Sequence, residues 1–108
     1  MSEEKAVQKR PIDRFKEVIS SQSVQEQFRN ALNEGSSLFV ASLIDIYGSD
    51  TKLQKCSPAA VVQEALKAAT LKLPINRNLG FAYVLSYDVK KKVGNEWIKV
   101  PTPQFQLG

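Results

Sequence analysis

The sequence contains no histidine and only one cysteine, Cys56. Without imidazole there is no histidine-based zinc site and no Ser–His or Cys–His nucleophile pair. A lone cysteine excludes an internal disulfide and a thiolate metal cluster. No glycine-rich loop ends in Lys-Ser or Lys-Thr, so the phosphate cradle of a P-loop nucleotide hydrolase is missing. The longest apolar stretch, around Leu38–Tyr47, is interrupted by Asp45 and is too short to span a bilayer. The first residues are charged, unlike a secretory signal. Carboxylates are scattered, and none forms a spacing suited to a pair of magnesium ions. Cys56 precedes a helix start and is expected to be a small, half-buried structural residue. These absences lead to the expectation of a cytoplasmic protein with no catalytic residues, no metal, no cofactor and no membrane span.

What is present fits one domain of 108 residues. Lysine and arginine total 15 against 11 acids, and the excess is uneven. Residues 1–48 carry a net charge of −1, whereas residues 49–108 carry +5. A basic second half suits phosphate binding and equally suits plain solubility.

Hydrophobic periodicity predicts an α+β fold, with N-terminal helices followed by an antiparallel β-hairpin. Residues 1–10 are polar and aperiodic, which predicts a flexible tail ahead of a domain over 11–108. Pro11 opens a short helix whose Ile12, Phe15, Val18 and Ile19 share a face. Ser23 and Glu26 have capping-box spacing, and Gly35 is expected as the left-handed residue that ends this second helix. A third helix from Ser36 or Ser37 to Tyr47 is apolar around nearly its whole circumference, so it is buried or awaits a partner. The fourth is the best defined. Ser57 is expected to cap it, Pro58 takes the first helical position, and Val61, Val62, Ala65, Leu66, Ala68 and Ala69 line one face. Glu64 and Lys67 fill the solvated side, and Pro74 ends the helix.

After Gly80 the period changes to two. Phe81, Tyr83, Leu85, Tyr87 and Val89 alternate with smaller or polar residues, and Phe81 and Tyr83 are expected in the core. Lys90-Lys91-Lys92 and Gly94-Asn95 read as the connection to a return strand containing Trp97, Ile98, Lys99 and Val100. Pro101 and Pro103 predict an edge or a break. Lysines flanked by Tyr87 and Trp97 can neutralise phosphates while the rings stack on unpaired bases. The same lysines would also serve as a solvated, aggregation-resistant turn. Arg77, between Asn76 and Asn78, is a further candidate phosphate contact. The candidate DNA-binding set is therefore Arg77, Tyr87, Lys90, Lys91, Lys92, Trp97 and Lys99.

The ordered blocks Ser57-Pro58, Ala65, Ala68-Ala69, Leu73-Pro74-Ile75, Leu79-Gly80, Ala82-Tyr83-Val84 and Gln104-Phe105-Gln106-Leu107-Gly108 resemble the RecT family of phage and prophage single-strand annealing recombinases. Lys72 stands where that family commonly has glycine, and Ser86 where proline is common. The resemblance implies the N-terminal part of a longer RecT-type domain. It also implies ATP-independent binding of single-stranded DNA and annealing of complementary strands in recombination. Partners implied in the same way are further subunits in rings or filaments and a phage-type exonuclease, in a bacterial host. A different class of reading makes the apolar 38–47 helix a protein-interaction module without a nucleic-acid role.

Overall fold

The structure, a computed structural model, describes residues 10–108. The expected tail lies outside the described residues except for Arg10. Four α-helices precede a two-stranded antiparallel sheet, so the fold is α+β: α1 (Pro11–Ile19), α2 (Gln22–Leu32), α3 (Ser36–Ser49), α4 (Pro58–Thr70), β1 (Ala82–Val93) and β2 (Glu96–Leu107). Short 3-10 turns at Asn33–Gly35 and Leu53–Lys55 join the helices. No helix among the described residues is long and apolar enough to cross a membrane.

Each helix is positioned by its ends. The carboxylate of Asp13 accepts from the Arg10 backbone N–H at 3.3 Å and from its guanidinium at 3.0 Å, fixing the entry to α1. In α2 the cap is Ser21, whose Oγ accepts from the Val24 N–H. The expected Ser23–Glu26 box does not form. Ser23 lies inside the helix, where its hydroxyl accepts from Gln27, and Glu26 accepts from Gln22. The turn after α2 places Asn33, not Gly35, at positive φ (55°). Gly35 has φ −75° and leads straight into α3. Ser57 does occupy the N-cap of α4, with extended backbone, but its side chain makes no capping bond.

The other end of α4 is a Schellman cap. The Leu73 N–H donates to Ala68 C=O and the Lys72 N–H to Ala69 C=O, with Lys72 at φ 59°. A lysine thus holds a left-handed position that glycine fills without steric cost.

The core lies among the helices. Phe15 of α1 stacks on Tyr47 of α3 with ring centroids 4.1 Å apart, and Phe28 of α2 meets Phe39 at 5.5 Å. Val61, Val62, Ala65, Ala68 and Ala69 of α4 are buried, as their spacing predicts. Their small size lets α2 and the hairpin approach the α4 backbone. The apolar circumference of α3 is largely used here: Phe39, Leu43 and Tyr47 are buried, and Val40, Ile44 and Ile46 pack against the core. Of its large apolar residues only Leu38, 75% exposed, stands clear.

The hairpin corrects two expectations. First, the lysines are not in the connection. β1 runs unbroken to Val93, and the reversal is the two-residue Gly94–Asn95 turn between the paired Val93 and Glu96. Gly94 has φ 62° and Asn95 does not have positive φ, which is the type II′ geometry that matches strand twist. Secondly, the strand faces are reversed. Ala82 and Val84 are buried under the helices, while Phe81 is 54% exposed and Tyr83 is only half-buried.

Register also fixes which backbone groups remain free. Gly108 N–H donates to Phe81 C=O at 3.0 Å. By the two-residue period of the ladder, even residues of β2 bond to odd residues of β1, and the others turn their N–H and C=O outward. Pro101 and Pro103 fall on the outward parity of β2, so they mark an edge and break nothing. Phe105 N–H, also outward, donates to Glu64 Oε1 at 2.9 Å. Glu64 is therefore a clamp between α4 and β2 rather than a solvated residue.

Candidate nucleic-acid interface

The hairpin is twelve paired residues long, but only its base is covered by helices. From Tyr87 to Lys99 every residue is exposed. Alternation sorts the candidate residues onto two faces of this bare ribbon. The face that carries Ala82 and Val84 at the base continues outward as Ser86, Asp88, Lys90 and Lys92. Across from them stand Pro103, Pro101, Lys99 and Trp97. Tyr87 and Lys91 point to the opposite face, with Leu85, Val89, Ile98 and Val100. The structure thus brings together Lys90, Lys92, Trp97 and Lys99, and separates Tyr87 and Lys91 from them.

Within the united group the geometry is specific. Lys90 and Lys99 are direct cross-strand partners, and so are Lys92 and Trp97. Like charges placed directly opposite destabilise a sheet. Among the described residues no carboxylate forms an ion pair with any of these lysines. Trp97 is 66% exposed beside them. An anion between Lys90 and Lys99 would relieve their repulsion, and the indole offers a flat apolar surface next to it. The sequence reading omitted Lys52 and Lys55, which line a cleft with Ser86, Tyr87, Asp88 and Pro101 at the foot of the same ribbon. Their signal was no more than membership of the basic second half. Proximity to the hairpin is a tertiary fact.

Arg77 is placed elsewhere. Its guanidinium donates to Asp50 Oδ2 at 2.6 Å and to the outward C=O of Val84 at 3.5 Å. Asp50 also accepts from the N–H groups of Lys52 and Leu53. Burial opposes ionisation of Asp50, but hydrogen bonds from Arg77 and these amides outweigh it and hold the carboxyl below its usual range. Arg77 therefore ties the loop before β1 to the turn after α3. Glu64 behaves alike: burial opposes its charge, while Lys67 at 2.8 Å and the Phe105 N–H keep it ionised to lower pH.

Cys56 is buried, with its Sγ 3.3 Å from Ser86 Oγ. Burial pushes its thiol pKa up, the opposite of what a nucleophile requires. Lys72 lines an apolar groove of about 160 Å³ with Leu32, Leu38, Phe39, Leu73 and Pro74, away from the hairpin lysines.

No family model matches the chain. The chain is 39% identical over 94 residues to the uncharacterized protein YqaK of Bacillus subtilis (strain 168). That match covers 87% of this chain and 29% of YqaK, so the chain spans less than a third of that relative's length.

Proposed function

We propose that the chain is the N-terminal part of a RecT-type single-strand annealing protein, whose exposed ribbon binds single-stranded DNA without reading its sequence. The observation that carries this reading is the Lys90–Lys99 pair beside Trp97 and Lys92, on one uncovered face and, among the described residues, without carboxylate partners. Lys90, Lys92 and Lys99 neutralise phosphates and release counterions, and Trp97 stacks on a base. Lys52 and Lys55 extend the basic track toward the helices. Annealing then needs no ATP and no covalent chemistry from the protein: the backbone is held, and base edges stay available to a complementary strand. In the full assembly, neighbouring subunits in rings or filaments extend the track, a phage-type exonuclease exposes the strand, and the site of action is the bacterial cytoplasm. The chain alone binds weakly and anneals poorly, because it presents a short stretch of the track.

Titrating Trp97 fluorescence with an oligonucleotide at two salt concentrations tests the reading. Quenching is expected, with affinity falling as salt rises by about 0.7 log units per log unit for each phosphate contacted. Lys90→Ala and Lys99→Ala should each flatten that slope. Absence of quenching at low salt, or affinity indifferent to salt, would overturn it. The rival reading of α3 as a protein-docking helix has only Leu38 and its groove left to support it.

A further inference from the structure

The two edges of the sheet are not equivalent. β2 is closed to strand addition over its covered half: Pro101 and Pro103 have no N–H to offer, and the Phe105 N–H is held by Glu64. β1 has no such protection. Its outward residues are the even ones, and among the described residues the C=O of Val84 is the last to have a partner, Arg77. Beyond it, Ser86, Asp88, Lys90 and Lys92 turn their N–H and C=O groups to solvent with no proline among them. Such an edge is a template for another strand.

We infer that this edge pairs with the same edge of a second copy, antiparallel and centred on Val89. In that register Asp88 lies opposite Lys90 of the second copy, and Lys90 opposite its Asp88, so both charge pairs are attractive. Ser86 and Lys92 complete the open segment, each facing the other's counterpart. Shifting the centre to residue 88 sets Asp88 against itself, and shifting it to 90 sets Lys90 against itself. A centre at 91 sets Lys90 against Lys92. A centre at 90 also pairs Asp88 with Lys92, but only the Val89 register matches opposite signs without opposing like charges, and it uses the whole unblocked edge.

The parity is also right: even residues of both copies meet as hydrogen-bonded pairs. On the far face Val89 meets its own equivalent and Leu85 meets Val93, joining two apolar strips that are separately exposed. The helices of the two copies sit at opposite ends of the resulting four-stranded sheet. Their Val84 positions lie roughly 30 Å apart along the strands, at about 3.3 Å per residue. Because β2 is blocked over its covered half, the matching edge contact there is available only through β1. This pairing does not depend on nucleic-acid binding.

Sedimentation of the chain over a range of concentrations, without nucleic acid, tests it. A monomer–dimer equilibrium is expected. Asp88→Lys or Lys90→Asp should each weaken it about tenfold or more, by turning two attractions into repulsions. The double exchange Asp88→Lys with Lys90→Asp should restore it. Asp88→Pro should yield a monomer with unchanged circular dichroism, since residue 88 faces outward as Pro101 does opposite it. Amide exchange of Asp88 and Lys90 should slow on dimerisation, and that of Lys99 should not. A chain that stays monomeric overturns the inference. So does a dimer that survives the proline and both single reversals, or a folded double exchange that fails to pair.

Discussion

The helical body and the hairpin ribbon are built on opposite terms. In the body, Phe15, Phe28, Leu43 and Val61 have no exposed surface, and polar groups such as Asp50 and Gln54 are tied to neighbouring backbone. In the ribbon, Trp97, Val93 and Ile98 are open to solvent and lysine faces lysine. The body is where burial holds the fold together. The ribbon is held by its ladder and by its base, and leaves its charge and rings for something outside the chain.

That contrast can be broken most directly in the body. Leu43→Ala or Phe15→Ala should cost about 3–5 kcal/mol in urea unfolding, through lost burial and an unfilled cavity. Trp97→Ala should change the same midpoint by less than about 0.5 kcal/mol, as for an exposed site. Equal losses in body and ribbon would show that the ribbon is packed and not bare.

The junction between the two regions gives the next effect. Asp50→Ala removes the ion-pair partner of Arg77 and leaves two backbone amides unpaired, and should cost about 1–3 kcal/mol. The same groups set the acid limit. Asp50 and Glu64 ionise at lower pH folded than unfolded, so their contribution is complete above the unfolded carboxyl range of about 4. It is lost as pH falls through the lower folded values. A pH series of urea midpoints should therefore drop below about pH 4, and the drop should shrink in a Glu64→Gln variant.

A smaller effect sharpens the comparison from the other side. Lys72→Gly should stabilise the chain by about 0.5–1 kcal/mol, because glycine holds φ 59° without the Cβ penalty. The smallest effect on stability is expected for Lys91→Ala, within about 0.5 kcal/mol. Its loss of oligonucleotide affinity should also be smaller than that of Lys90→Ala, since Lys91 points to the other face.

The helices were legible because their apolar faces repeat and their ends carry prolines. Pro11 and Pro58 open α1 and α4 where expected. Individual caps were less so, since Ser21 and Ser23 are chemically equivalent and only the chain path chooses between them. The strand pattern misled for a physical reason. Residues 81–89 are apolar on both parities, and large rings suggest the core more strongly than Ala82 and Val84 do. The small-residue face of α4 leaves room for small partners, so the rings went outward. Lysines have weak strand preference and so read as a loop. The Gly94–Asn95 turn overrode that by fixing the register of every pair before it. The Lys90–Lys99 opposition follows from the register alone, and no single stretch of sequence displays it.

Cys56 makes the seam between the two regions measurable. It is the sole thiol in the chain, sealed where the turn before α4 meets Ser86 of β1. An alkylating reagent reaches that sulfur when the packing around it opens, at the hairpin or at the cleft it lines with Pro11, Arg14 and Gln54. Labelling rates under native conditions therefore report how often this seam opens, and ligands that grip the ribbon's outer end leave those rates unchanged unless they also pin its root.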